Sequence, residues 1–195
     1  MQQSYGIHPE PGITIEATFP PGGTGLRYLP LNGAALKAAA ARIEHVVLLG
    51  VMAVDRGNGR VRLLPGGAPL VTYTLGDDEG RRLVRGLAHA ARVLRAAGAT
   101  EVYTPLRGLP VLERARGRDL ALVAFHPLGT ARMAASPAAG VAGPDGRVFG
   151  VEGLALADAS LLPSAPGVNP QITIMALALL VARSLVSARR GTAAA

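Results

Sequence analysis

Three segments in the last third of the chain carry side chains suited to chemistry. The first is His126-Pro127-Leu128-Gly129-Thr130-Ala131-Arg132-Met133. The second runs from Val151 through Leu154-Ala155-Leu156-Ala157 to Asp158-Ala159-Ser160. The third is Gly167-Val168-Asn169-Pro170-Gln171, followed by the apolar run Ile172 to Ala178. Imidazole is the side chain best suited to accept a proton near neutral pH. His126 stands where an apolar run enters a glycine-containing loop, a place where catalytic groups gather. Its structural alternative is a histidine packed at a strand end and hydrogen-bonded to backbone. Asp158 closes a short apolar stretch. It either faces a ligand beyond a strand C-terminus or caps the turn that follows. Asn169 reads as the N-cap of the last helix, with Pro170 in its first position. The unpaired N–H groups and the dipole of that helix start could hold an electron-rich ligand atom. The alternative is an ordinary capped core helix.

The elements that must position these residues follow from periodicity. Ile13 to Phe19 alternates like a strand and is broken by Pro20-Pro21-Gly22-Gly23-Thr24-Gly25. Ala34 to Ala41 is alanine-rich and helical. His45 to Val54 is apolar enough for a covered strand. Asp55 to Arg60 reads as a turn and Val61-Arg62-Leu63 as a return, so residues 46–64 predict a hairpin; Val71 to Leu75 adds a third strand to one small antiparallel sheet. Asp77-Asp78-Glu79 opens a helix where its dipole favours acids. A stripe of Leu83, Val84, Leu87, Ala91, Val93 and Leu94 carries it to Gly98, giving a helix over about 77–97. Leu120 to Phe125 predicts a strand, Pro127 to Gly150 is turn-rich, and Leu154 to Ala157 predicts a short buried strand. A loop from Leu162 to Pro170 leads into a helix over about 171–186, and Gly191 to Ala195 reads as a frayed tail. The fold class is α+β.

Composition narrows the function. The chain has 195 residues, 49% hydrophobic and 17% charged, which excludes intrinsic disorder and permits a packed core. Aromatics make up 4%, with no Trp, too few for a stacking platform for single-stranded nucleic acid. The net charge of +7 comes from scattered arginines around the lone lysine, Lys37. Pairs such as Arg81-Arg82 and Arg189-Arg190 read as solvated helix faces and ends, so no nucleic-acid partner is expected. The absence of Cys removes disulfides, thiolate nucleophiles and sulfur-based metal sites, and it fits a cytoplasmic setting. His8, His45, His89 and His126 show no ligand spacing, so no metal is expected. Met1 to Gly6 has neither the basic nor the apolar region of a signal peptide. Ile172 to Ala182 is stopped by Arg183, short of the roughly 20 residues of a span, so a buried helix and no transmembrane segment are expected.

Taken together, the three segments resemble the C-terminal portion of the glucose–methanol–choline (GMC) flavoprotein oxidoreductases over residues 120–186. A fainter likeness covers 45–105, where the turn and strand Asp55 to Leu63, Thr72-Tyr73-Thr74-Leu75 and Ala96-Ala97-Gly98-Ala99 look like the substrate-domain segment of members acting on long-chain alcohols or sterols. The resemblance implies an FAD-dependent oxidoreductase that takes a hydride from an alcohol. His126 matches the family's histidine and would accept the hydroxyl proton. Asn169 matches its asparagine and would hydrogen-bond the same oxygen. Asp158, Ala159, Asn169, Pro170 and Gln171 would approach the FAD. It also implies a partial GMC fold, with 1–125 a partial substrate-binding domain, 126–190 the C-terminal segment of the FAD-binding domain, and 191–195 the tail. No Gly-x-Gly-x-x-Gly unit for the pyrophosphate is present, and Gly22-Gly23-Thr24-Gly25 lacks its spacing. The expected partners are therefore a small-molecule alcohol and a chain carrying the missing FAD-binding half. The alternative is an inactive fragment or interaction module that needs such a partner.

Overall fold

A computed structural model of the chain describes residues 6–18, 24–106 and 112–193. Phe19, the breaker at Pro20–Gly23, the opening Met1–Tyr5 and the tail residues Ala194 and Ala195 lie outside the described residues. The architecture is an α+β mix of three helices and two small antiparallel sheets. It divides into two compact units, Met1–Asp55 with Leu75–Val123, and Arg56–Thr74 with Ala124–Ala195.

In the first unit, β1 (Gly6–Ile7), β2 (Ile13–Thr18) and β3 (Leu48–Ala53) form a sheet in that order. The β2–β3 register pairs Ile13 with Ala53 and Thr18 with Leu48. Alternation along β2 sends Ile13 and Ile15 inward, each 1% exposed, where they meet Ala90, Leu49, Val51 and Ala53. Helix α1 (Gly33–Ala40) precedes the sheet's last strand, and α2 (Asp77–Ala96) covers the sheet. Acidic residues fill the first turn of α2 as expected. Its C-terminus closes by the paired bonds of Gly98 N–H to the Arg95 carbonyl and Ala99 N–H to the Leu94 carbonyl, both 3.0 Å. That is the helix-stop geometry a glycine just past the last turn provides. The same helix approaches the sheet so closely at Gly86 that an added Cβ would lie 2.7 Å from Val51 Cγ1 and 3.0 Å from Ile13 Cγ2.

The second unit holds β4 (Arg60–Leu63), β5 (Pro69–Thr72) and α3 (Gln171–Ala193). Here the structure corrects the expected hairpin over 46–64. β3 pairs backwards with β2, and β4 pairs with β5 through the turn at Pro65-Gly66-Gly67, where Leu64 N–H reaches the Ala68 carbonyl at 2.8 Å. The expectation assumed that neighbours in sequence pair in space. That holds about two-thirds of the time, but β3 finds a better-matched apolar edge upstream. The strand expected at Leu120–Phe125 also does not form. Only Leu120 pairs, in a single bridge to Leu106, while Val123 is 64% and Phe125 68% exposed. A run apolar on both faces needs neighbours on both sides to become a strand, and the described residues supply one bridge. Leu154–Ala157 forms a bridge of Ala155 to Arg147 instead of a full strand. Helix α3 runs to Ala193, seven residues past the expected end and into the expected tail.

Gly86→Val should lower stability by about 2 kcal/mol, because overpacking outweighs the helix-propensity gain of replacing glycine. Urea unfolding would read this as a lower midpoint at unchanged m-value.

Candidate functional site

The three chemistry-bearing segments all belong to the second unit and hang on one apolar cluster. Its fully buried members are Ala142, Leu161 and Val181, flanked by Met133, Leu156, Leu177 and Leu185. Met133 comes from the His126 loop, Leu161 from the turn after Asp158, and Val181 from α3. Backbone bonds zip the first two segments together. The N–H groups of Gly129, Ala131 and Met133 donate to the carbonyls of Ala159, Ser160 and Leu161 at 3.1, 3.0 and 2.8 Å. Further bonds join Ala134 to Ala142, Phe149 to Val141 and Leu156 to Gly146, so the turn-rich stretch is a bonded mesh. Gly129 has φ +79, and an added Cβ would meet the Leu162 carbonyl at 3.1 Å. Only glycine fits that backbone without strain.

His126 is exposed at the head of this mesh, and among the described residues its ring makes no hydrogen bond. The packed, backbone-bonded alternative for this histidine therefore does not hold. The other histidines have partners: His8 bonds Thr14 at 3.1 Å, His89 meets Arg92 at 3.3 Å, and His45 lies 3.7 Å from Glu44. Asp158 is also exposed, and its Oδ1 accepts the Ser160 N–H at 2.7 Å. The turn-capping reading of Asp158 is realised, with Ala159–Leu161 as a 3-10 turn behind it. Hydrogen bonds from Ser160, side chain first and backbone second, hold the Asp158 carboxyl below the usual carboxylate range.

Helix α3 opens at Gln171, where the sequence expects it, but Asn169 is not its N-cap. Buried Pro170 takes the N-cap place, its carbonyl accepting the Ile174 N–H at 2.8 Å, and exposed Asn169 stands just outside. Pro170 suits the role because capping needs only its carbonyl. The first-turn N–H groups of a 23-residue helix, with exposed Gln171 leading, thus lie beside the Asn169 side chain in sequence. Among the described residues no group of three or more His, Asp or Glu could hold a metal ion.

The GMC oxidoreductase family model matches residues 55–178, more than half of the chain. The chain belongs to the GMC oxidoreductase family. It is 43% identical over 191 residues to a GMC-type oxidoreductase of Mycobacterium tuberculosis, covering 93% of this chain and 30% of that protein. It is 28% identical over 207 residues to a long-chain-alcohol oxidase of Arabidopsis thaliana, covering 92% of this chain and 27% of the relative. A 6'''-hydroxyparomomycin C oxidase of Streptomyces lividus is 32% identical over 120 residues, 62% of this chain and 20% of the relative. The chain spans under a third of the length of these curated relatives.

Family membership raises the question of whether these residues fit FAD. The first-turn N–H groups of α3, the Asn169 and Gln171 amides and the half-buried Ala159 turn are donors of the kind that the electron-rich edge of an isoalloxazine would take. Nothing among the described residues offers a glycine-rich turn for a pyrophosphate. Such donors would meet one end of the cofactor only. Sequence reading named His126, Asp158 and Asn169 but missed Gly129 and Met133, whose roles are backbone ladder and core anchor; the glycine inside the His126 segment was the available signal.

Asp158→Ala should cost about 1 kcal/mol at neutral pH, the usual scale for a lost cap. Because the folded pKa is lowered, that contribution is present above the unfolded value of about 3.9 and is lost as pH falls through the folded one. Urea midpoints of wild type and variant should converge between pH 5 and pH 2, each pH being roughly a unit or two from that value. Gly129→Ala should speed amide exchange at residues 129, 131 and 133 while leaving β2 and α2 protected, as read by hydrogen-exchange mass spectrometry.

Proposed function

We propose that this chain is the alcohol-oxidising portion of an FAD-dependent oxidoreductase acting on the CH–OH group of a small-molecule donor. The observation that carries the reading is His126: an exposed imidazole with no hydrogen-bond partner among the described residues, three residues before a bonded ladder that joins its loop to the Asp158 turn over the core that also seats α3. Family membership and relatives named as alcohol oxidases support the same chemistry.

When bound, FAD supplies the acceptor for two electrons and the carbinol hydrogen. The chain's own residues do the rest. A ring nitrogen of His126 accepts the hydroxyl proton as the carbonyl forms, which keeps the developing alkoxide from accumulating charge. The Asn169 side-chain amide donates to the same oxygen and fixes its direction, an orienting role that trades binding energy for entropy. Asp158 holds the Ala159–Leu161 turn, and so the platform under the His126 loop, by its bond to Ser160. The positive end of α3 favours negative charge on whatever group lies against it. Exposure of all three polar side chains suits a site completed by another surface.

In the complete enzyme, His126→Ala or Asn169→Ala should slow anaerobic flavin reduction by alcohol by about 10²-fold or more, the scale of a lost general base or positioning group. Stopped-flow absorbance follows the flavin bleaching directly. Unchanged rates in both variants would remove the pair from the mechanism.

A further inference from the structure

The chain holds three asparagines, and the residue after each decides what its side-chain amide can undergo. Asn169 precedes Pro170, which has no N–H to become a nucleophile. Asn32 and Asn58 precede glycines, whose backbone nitrogens no Cβ shields. Both pairs are exposed, yet their surroundings differ. Asn32 is the N-cap of α1, with φ −136 and ψ 160; its side chain makes no capping bond, and Gly33 is the first residue of the helix. Asn58 lies in the irregular stretch before β4, and its Oδ1 accepts the Thr74 N–H at 3.3 Å. No helix or strand includes residues 55–59, and Gly59 stands just outside the ladder, which begins at the Arg60–Thr72 pair.

We propose that Asn58 is a self-modification site, at which the Gly59 nitrogen attacks the side-chain carbonyl and the amide becomes a carboxylate without an enzyme. Solvent base takes the Gly59 amide proton as that nitrogen bonds Asn58 Cγ and closes a five-membered ring. The carbonyl electron pair moves onto Oδ1, where the Thr74 N–H already donates, a fixed donor on the atom that gains charge. The Cγ–Nδ2 bond then breaks, and Nδ2 leaves with a solvent proton as ammonia. Water opens the cyclic imide at either carbonyl and gives aspartate or isoaspartate at position 58. The sum is amide plus water to carboxylate plus ammonium, and nothing is oxidised or reduced. Closure within one residue pair needs no bimolecular encounter. The new charge falls in favourable company, since Arg56 to Thr74 contains Arg56, Arg60 and Arg62 and no acidic residue. The aspartate product keeps Thr74 as its donor. The isoaspartate product adds a methylene to the main chain directly before the Arg60–Thr72 pair, at the foot of the β4–β5 hairpin.

The test is to age the full chain in mildly alkaline buffer and map its peptides by mass spectrometry, with isoaspartyl methyltransferase labelling to count the isoaspartate. Asn32 is the internal reference, because it has the same following residue and no donor on its side-chain oxygen. In native buffer Asn58 should convert about tenfold faster than Asn32, less than a buried oxyanion donor would give because this one is open to water. In guanidinium chloride, which removes the Thr74 donor with the fold, the two pairs should convert at similar rates. Gly59→Ala should slow conversion at position 58 and leave Asn32 unchanged. An alanine fits there, since its Cβ would meet Tyr73 Cδ2 at 3.4 Å and the Thr72 carbonyl at 3.5 Å, ordinary contacts. Thr74→Pro deletes the donor while keeping the Asn58-Gly59 pair, and should bring the rate at position 58 down to that of Asn32. Equal rates at the two sites in native buffer, slower conversion of Asn58 in the native chain than in denaturant, or a rate indifferent to Thr74→Pro overturns the proposal. The native-to-denatured comparison decides even where Thr74→Pro disturbs the hairpin.

Discussion

Everything in the second unit depends on one small patch of buried carbon: Ala142, Leu161 and Val181 in mutual contact. Each comes from a different stretch of chain, and two of them belong to segments that carry a polar group of interest. Leu161 follows Asp158, and Val181 lies on the helix that Asn169 precedes. Met133 adds the His126 loop from the side. A loop carrying function normally buys its precision from a rigid support. Here that support is the cluster, and the ladder from Gly129 to Met133 transmits it to the loop.

The ladder also explains why so much irregular backbone can be stable. From Pro127 to Gly150 there is no helix and no named strand. Yet backbone donors at Gly129, Ala131, Met133, Ala134, Val141, Gly143, Val148 and Phe149 all have carbonyl partners. Buried or half-buried backbone must be paired to avoid a desolvation cost of about 1–3 kcal/mol per group. Isolated bridges, such as Met133 to Ala142 and Ala142 to Val148, do that work in place of a sheet.

What was legible in the sequence was local. Helix α2 announced itself through its acidic start, its stripe and Gly98, and β2 through the alternation of Ile13, Thr14 and Ile15. These signals act within one turn or one strand. Pairing was not legible, because β3 pairs with β2 across the 29 residues between Thr18 and Leu48 in preference to β4 next door. The burial of α3 was misread in the same way. Its apolar length predicts a core helix, but the sequence carries no information on how much of that apolar surface the rest of the chain can reach. His126, Asp158 and Asn169 were legible as chemistry since residue type and order are visible without structure. Gly129 and Met133 were not, because a backbone ladder and a core anchor acquire meaning only once both partners are placed.

The two misread segments share a cause. Leu120–Phe125 and α3 both carry more apolar surface than the described residues can cover, and in each the sequence predicted burial. A residue pattern records the environment for which it is suited, not the one a given stretch of polypeptide can supply. An uncovered strand keeps its pattern and loses its ladder, since the ladder needs a neighbour. A helix satisfies its own backbone and so persists with a bare face. That asymmetry is why α3 persists over 23 residues while the run at 120–125 does not form a strand.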